Sequence, residues 1–395
     1  MNILIITRLY PEFAGQSRLE ATYAVHDFAK EWAQCHQVYV MRVFGYYPLS
    51  KYFSKIGLGK KSTLYSEEKS FCLDGVTIFR ILVNRLHRVR YSRYFLKAAS
   101  KKIEKEIESH FIPDLIVCHI LKPNIFIGNM LKNKFACKLV WCLHETDLRI
   151  LKSKKDAKAL YEVEYNIDKI AQRSYKIQKE FLSHYQGEKS KEDFFIAMSG
   201  IDTEQIISLE KLNTKVTHPV KQFISVANLI ERKNVDVVIR AFSRINEAQK
   251  YDLVIVGDGP ERVNLEKLIV DLNCQGSVHL VGLKSKEEVL VLMENSDVFV
   301  MVSSHETLGL VYLEAMAKGC LVIGSKGEGI DGTIIDNENG FLCESGSVEA
   351  LAKVLTHVTE IDTIEKKRLT NSAVNTAKSL SQEEVADKYL NWMMA

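Results

Sequence analysis

The chain has 395 residues, 46% of them hydrophobic and 26% charged, with only six prolines and 20 glycines. That length predicts two domains and that composition excludes collagen-like and long disordered architectures, while no apolar run approaches the ~20 residues that span a bilayer. The net charge of +3 hides an asymmetry: residues 1–200 carry 33 Lys/Arg against 21 Asp/Glu, and residues 201–395 carry 20 against 29. The first half is therefore built to meet something anionic and the second is not.

In chain order, Met1 to Arg8 has no basic leader before its apolar residues and reads as a first strand, Ile3–Thr7, rather than a signal peptide. Leu19–Ala33 reads as a helix, Val38–Val43 as a strand, Tyr94–Ser109 as a helix, and Leu115–His119 and Lys138–Leu143 as strands. The polar segment Thr203–Lys221, with Gly200 before it and Pro219 within it, suggests a hinge. The rhythm then restarts with strand Phe223–Ala227, helix Val235–Glu247, strand Leu253–Val256 and helix Arg262–Leu272. Strand Val278–Val281, helix Lys286–Glu294, strand Val298–Val302, helix Leu310–Lys318 and strand Leu321–Ile323 follow. Strands apolar on both faces alternating with helices predict parallel sheets covered on each side. Two such runs predict two doubly wound α/β domains facing each other across a cleft, at 1–203 and 204–378. Val385, Tyr389, Trp392 and Met393 form an apolar stripe on a last helix within 379–395. The eight cysteines are scattered without a C-x-x-C pair, which suits free, largely buried thiols in a reducing cytoplasm.

Three stretches carry chemistry. Leu253-Val-Ile-Val-Gly-Asp-Gly-Pro-Glu-Arg262 runs from a strand through Gly-x-Gly into a helix. Arg262 stands where a dinucleotide fingerprint needs its third glycine, so a dehydrogenase is a poor reading and a structural turn remains open. Phe223 to Asp236 delivers Asn228, Arg232 and Lys233 from a strand end, where cations suit a bound anion; a solvated charge cluster is the plain alternative. Ser303-Ser-His-Glu-Thr-Leu-Gly-Leu-Val-Tyr-Leu-Glu314 places Glu306 in a turn and Glu314 eight residues on, at the start of a helix. Thr307 to Leu310 would leave free N–H groups there for a diphosphate, and a carboxylate can accept from two adjacent sugar hydroxyls. Dipole stabilisation by Glu306 and a surface ion pair of Glu314 are the plain alternatives.

Ordered together, these stretches resemble the retaining GT-B glycosyltransferases of family 4, the glycosyl transferases group 1. The resemblance rests on Val226-Ala-Asn-Leu with Lys233, Val256-Gly-Asp-Gly-Pro260, Val281-Gly-Leu283 and the E-x7-E pair Glu306/Glu314. Glu314-Ala-Met-Ala-Lys-Gly319, Gly324-Ser-Lys-Gly-Glu-Gly329 and Asn339-Gly-Phe-Leu342 complete it. In the first half it rests on Tyr10-Pro11, Gly15, Pro113-Asp114, His119, His144, Asp147, Ser174 and Ser199-Gly-Ile-Asp202. It implies that Glu314 binds the ribose hydroxyls of a nucleotide sugar, most commonly UDP-linked. Glu306 would sit by the transferred sugar, with Thr307, Leu308, Gly309, Leu310 and Val311 offering amides to its hydroxyls and the phosphates. Lys233 and Arg232 would face the diphosphate, with Asn228 where the family has Arg; Gly282 and Leu283 would offer backbone to the base, and Gly15 would let its loop approach the phosphates. His144 would project toward the reacting sugar, in a His-Glu-Thr-Asp run where the family has His-Gly-x-Asp. The last helix would return to the N-terminal domain, burying Trp392.

Catalytic His144, Lys233 and Glu306 would then act by position and charge. A held diphosphate is already a good leaving group, so catalysis reduces to orientation and electrostatic stabilisation. No carboxylate pair is placed for hydrolysis, and no ligand spacing calls for a metal or other cofactor. The expected activity is retaining transfer of a hexose or N-acetylhexosamine to a glycan or lipid-linked glycan, as in bacterial surface polysaccharide synthesis. A sugar-nucleotide epimerase and a degenerate binding subunit are the rivals. The basic, aromatic-interleaved stretch with Arg85, Arg88, Arg90 and Arg93 predicts contact with anionic lipid or a lipid diphosphate acceptor rather than nucleic acid, and so a cytoplasmic protein peripheral to the inner membrane face.

Overall fold

The computed structural model describes residues 1–18, 20–46, 69–84, 91–151, 154–246 and 250–395. The chain divides into two compact units. The first comprises Met1–Arg173, Glu180–Ser199 and Ala386–Ala395; the second comprises Ser174–Lys179 and Gly200–Val385.

The first unit holds an eight-stranded sheet ordered β3-β4-β2-β1-β5-β6-β7-β8. Its strands are β1 (Asn2–Thr7), β2 (Gln37–Tyr46), β3 (Ser70–Leu73), β4 (Val76–Asn84), β5 (Leu115–His119), β6 (Lys138–Leu143), β7 (Lys169–Gln172) and β8 (Phe194–Ile196). The central strands β1, β5 and β6 are almost wholly buried, as their apolar runs require. Only β3 is antiparallel: Asp74 and Gly75, at φ +48° and +77°, make the tight two-residue turn that joins it to β4. The helices are α1 (His26–Ala33), α2 (Arg93–Ile107), α3 (Phe126–Phe135), α4 (Glu145–Leu151), α5 (Lys154–Glu164) and α6 (Tyr175–Leu182), the last with its residues up to Lys179 in the second unit. Helix α1 begins seven residues later than the periodicity from Leu19 predicts, because Val25 and its neighbours pack as turns before it. Ser92 caps α2, and Leu96, Ala99, Ile103 and Ile107 form its buried stripe.

The second unit holds a six-stranded parallel sheet ordered β11-β10-β9-β12-β13-β14. Its strands are β9 (Gln222–Val226), β10 (Asp252–Val256), β11 (Val278–Gly282), β12 (Val298–Val300), β13 (Leu321–Ser325) and β14 (Phe341–Cys343). Around it lie α7 (Leu209–Lys215), α8 (Val235–Ile245), α9 (Arg262–Asp271), α10 (Lys286–Glu294), α11 (Leu310–Ala317), α12 (Val348–Glu360) and α13 (Thr363–Ser379). Strand alternation divides the apolar residues between two cores. Phe223, Val298 and Val300 pack with α8, α9 and α12, whereas Ile224 and Phe299 pack with α11 and α13. The segment Thr203–Lys221 is not only a polar connection: Leu212 of α7 and Val216 just after it cluster with Ile207 and Val374.

The last helix, α14 (Gln382–Met394), gives residues Ala386–Ala395 to the first unit. There Tyr389 is fully buried, 5.4 Å from the Phe28 ring and 5.7 Å from those of Trp32 and Phe195. Trp32 Nε1 donates to the Ala386 carbonyl at 3.0 Å. Trp392, expected to be buried, is only half-buried: its ring stacks on Phe195 at 5.1 Å while its Nε1 donates to the Glu192 carbonyl. A partly open position keeps the indole N–H within reach of that surface carbonyl. All eight cysteines are free; six are buried, and Cys35 and Cys72 are exposed.

Candidate active site

In the second unit the chain proceeds from β9 outward to β11 and then returns to the other side of β9 with β12. The strand order therefore reverses between β9 and β12, the place where α/β sheets open a crevice beyond their C-terminal ends. The two loops leaving those strands are the ones singled out by sequence. Asn234, in a left-handed conformation at the start of α8, ties them together by donating to the Val302 carbonyl and to the hydroxyls of Ser304 and Ser345 at 2.8–3.1 Å. Ser304 N adds a bond to the Arg232 carbonyl at 2.8 Å.

The Gly-Asp-Gly turn proves to be structural. A Cβ on Gly257 would lie 1.9 Å from the Ala227 carbonyl oxygen, and one on Gly259 would lie 2.4 Å from that of Leu229. These glycines let the β10 exit lie against the β9 exit, which fixes the Asn228–Lys233 loop from behind. Asn228 is exposed at its tip.

Lys233 and Glu306 meet in an ion pair, both mostly buried, at 11% and 14% exposure. Arg232 is more open; its guanidinium lies 3.8 Å from the same carboxylate and 3.4 Å from the His305 carbonyl. Beyond Glu306 the chain turns through Gly309 (φ +78°) into α11. Among the described residues, the backbone N–H groups of Leu308, Gly309, Leu310 and Val311 donate to no protein acceptor, whereas Tyr312 N already bonds to the Gly309 carbonyl. Four unpaired N–H groups at and just before a helix start can take an anion. Thr307 precedes them, and Glu314 follows one turn into the helix, half-buried, with Lys286 Nζ at 3.5 Å. Gly282 (φ +77°) and the exposed Leu283 close β11.

Two residues that sequence reading missed complete this loop. Glu328 accepts from Glu306 N at 2.9 Å and from Lys176 Nζ at 2.6 Å. Burial would push its pKa up, but Lys176 and the N–H groups of Glu306 and His305 outweigh it and hold the carboxyl below its usual range.

In the first unit the order reverses between β1 and β5. Gly15 lies in the exposed loop after β1 at φ +85°, with open space around it. His144 leaves β6 half-buried; its Nε2 is 3.1 Å from Nδ1 of the buried His119, and Asp147 accepts from His144 N and Leu121 N at 2.9 and 2.8 Å. Burial, with Arg173 and Arg8 beside it, lowers the His144 pKa to about 3, and burial likewise lowers that of His119. Both rings are therefore neutral at physiological pH. Burial raises the Asp147 pKa to about 6 despite its two N–H donors. His119, Cys142 and His144 each bring a ligand atom within 4.8 Å of the others, a grouping across two strands that no sequence spacing shows. The adjacent Arg173 guanidinium opposes a cation there, and burial pushes the Cys142 thiol up to about 11.

Of the predicted basic surface, Arg85, Arg88 and Arg90 lie outside the described residues. Arg93, Lys97, Lys101, Lys102 and Lys105 are exposed along α2, beside Tyr94 at 77% exposure. Leu96, interleaved with them in sequence, belongs to the core.

Residues 210–376 match the family "Glycosyl transferases group 1". A lipopolysaccharide core biosynthesis glycosyltransferase, LpsE, of Rhizobium meliloti is 31% identical over 48% of this chain and 54% of its own length, so the match spans about half of that relative. N-acetyl-alpha-D-glucosaminyl L-malate synthase of Bacillus anthracis is 28% identical over 69% of this chain and 71% of its own. The crystal structure of Anabaena Alr3699/HepE in complex with UDP superposes with a TM-score of 0.68 at 16% identity, covering both chains fully. The likeness defines the fold as GT-B, with its two Rossmann-like units. The match to the glycosyl transferases group 1 lies within the second unit.

Proposed function

We propose that the protein is a retaining glycosyltransferase that moves a hexose or N-acetylhexosamine from a nucleoside diphosphate, most simply UDP, to a glycan or lipid-linked glycan acceptor. The observation that carries this reading is the β9–β12 crevice: four open amides at the start of α11, flanked by the Lys233–Glu306 pair and by Glu314. Glu314 takes the ribose hydroxyls, the amides and Arg232 take the diphosphate, and Glu306 takes the sugar. Lys233 turns from Glu306 toward the phosphates as the glycosidic bond breaks and charge grows on the leaving group. Asn228 adds a neutral donor at the loop tip, and Gly282 and Leu283 offer the base an edge. His144 of the first unit, neutral and held by His119, offers an uncharged hydrogen-bonding ring, the group that the family resemblance assigns to the reacting sugar. The acceptor is deprotonated by the departing phosphate, with retention of configuration.

The chemistry needs no metal, because side-chain cations and a helix terminus hold the leaving charge. The names of the relatives, which include lipopolysaccharide core biosynthesis, support a surface-glycan acceptor. The exposed basic face of α2 supports an anionic lipid surface beside it, and so a peripheral protein at the cytoplasmic membrane face. No described helix is long and apolar enough to cross a membrane. A thermal-shift screen of nucleoside diphosphates and sugar nucleotides, each repeated in EDTA, tests the reading. A ligand at 100 times its dissociation constant should stabilise the protein by about 2.7 kcal/mol, unchanged by the chelator. No shift with any of them would refute it.

A further inference from the structure

We infer that Glu328 is a positioning residue of the donor site: its carboxylate holds the His305–Glu306 turn in the shape that presents Glu306 and the open amides of Leu308–Val311, and Lys176 holds that carboxylate. The inference rests on the donor reading above and adds a residue to it.

The turn needs holding. His305 sits at φ +55°, a left-handed conformation unfavourable for a residue with a Cβ, and Gly309 repeats the left-handed state four residues on. Between them the backbone N–H of Glu306 has no backbone acceptor and would be orphaned in a half-buried loop. Glu328 takes it at 2.9 Å. From the same side Gly329 N donates to the Glu306 carbonyl at 3.0 Å. Gly329 itself lies so close that a Cβ there would stand 2.1 Å from the Thr307 carbonyl oxygen. Residues 328–329 thus grip 306–307 through donor, acceptor and contact.

The charges are arranged to match. Two carboxylates on neighbouring loops would repel each other and spread the turn, but each has its own lysine: Lys233 for Glu306 and Lys176, at 2.6 Å, for Glu328. The second pair is sheltered, at 27% and 15% side-chain exposure. Lys176 comes from Ser174–Lys179, the short stretch that the second unit takes from between two stretches of the first. A link far from the loop in sequence therefore supplies the counter-ion that fixes it.

The test uses the full chain and the variants E328A, E328Q and K176M. Amide hydrogen exchange at His305 and Glu306 should quicken about tenfold or more in E328A, and by less in E328Q, which keeps one acceptor oxygen. With a sugar nucleotide that wild type consumes, E328A should raise KM and lower kcat about tenfold each, and E328Q should restore most of both. Affinity for the matching nucleoside monophosphate, held through Glu314, should stay within about twofold. K176M should follow E328Q in direction, and it stands in if E328A does not fold. Unchanged exchange in E328A, faster exchange with unaltered kinetics, or no rescue by glutamine would each overturn the assignment. Failure of wild type to bind any sugar nucleotide would instead overturn the transferase reading and the donor-site role with it, leaving exchange to decide the clamp alone.

Discussion

At the scale of single residues, the candidate site is a set of charges that hold one another. Among the described residues Glu314 has one ion-pair partner, Lys286 at 3.5 Å, which leaves its carboxylate acceptor capacity for ground-state hydroxyls. Glu314→Ala should weaken nucleoside diphosphate binding by about 1.5–3 kcal/mol in calorimetry, and an unchanged affinity would remove it from the ribose subsite. Lys233 and Glu306 are different, because each is the other's partner. Lys233→Ala and Glu306→Ala should each add about 3 kcal/mol to the barrier with little change in nucleotide affinity. Each also strands a mostly buried charge, so the double variant should be more stable than the sum of the singles implies, by roughly 0.5–3 kcal/mol in urea melts. Strict additivity would mean the pair does not form in solution. His144 carries the pH dependence. Its folded pKa is depressed, so its contribution to stability is full above 6.5 and is lost as pH falls toward about 3. Asp147 opposes it: with a pKa raised to about 6, it takes up a proton in the folded state between roughly pH 6 and 4. His144→Asn should therefore flatten the acid loss of stability by up to about 1.4 kcal/mol per pH unit, and a profile identical to wild type would show that the ring is not held neutral.

At the scale of elements, the informative case is α14. Its apolar stripe is evident in the sequence, but which residue anchors it is not. Tyr389 is enclosed by Phe28, Trp32 and Phe195, whereas Trp392 lies at the margin. Tyr389→Ala should cost about 3–5 kcal/mol, Trp392→Ala clearly less, and truncation after Leu380 at least as much as Tyr389→Ala. Melting temperatures that rank the tryptophan first would contradict this. The elements that periodicity located well, Leu115–His119, Lys138–Leu143 and Lys286–Glu294, are those whose own residues determine them: buried β-branched runs, or a helix with a Ser285–Glu288 capping box. The strands it missed fall into two kinds. The hairpin β3–β4 is signalled by its Asp74-Gly75 turn rather than by a period. The short β7, β8 and β14 carry three or four residues each, too few to show a period.

At the scale of the whole molecule, the charge asymmetry between the two halves finds a physical location. Arg93, Lys97, Lys101 and Lys105 recur every four residues along α2 and are exposed, with the apolar stripe turned inward. Each such residue near an anionic bilayer is worth about 1 kcal/mol, and Tyr94 adds an amphipathic ring at the interface. The protein should sediment with anionic vesicles at low salt and be released at high salt, and Ser at those four positions should weaken binding by several kcal/mol. Equal binding to neutral vesicles, or none to anionic ones, would leave α2 an ordinary solvated face.

Much of this protein is determined locally. The alternation of two-sided apolar strands with amphipathic helices sets two doubly wound units, and the order of short motifs from Val226 to Asn339 carries the resemblance to the glycosyl transferases group 1, because each motif is contained in a few consecutive residues. What the tertiary structure decides is who faces whom. Glycines 257 and 259 look like a phosphate loop in sequence, yet they face the carbonyls of Ala227 and Leu229. Lys233 and Glu306, 73 residues apart, form one ion pair, and Glu328 reaches Lys176 across 152. His119 and His144 meet because β5 and β6 are neighbours in the sheet. Such pairings depend on strand order and on the burial that sets each group's charge, and neither is a property of any stretch of sequence short enough to read by itself.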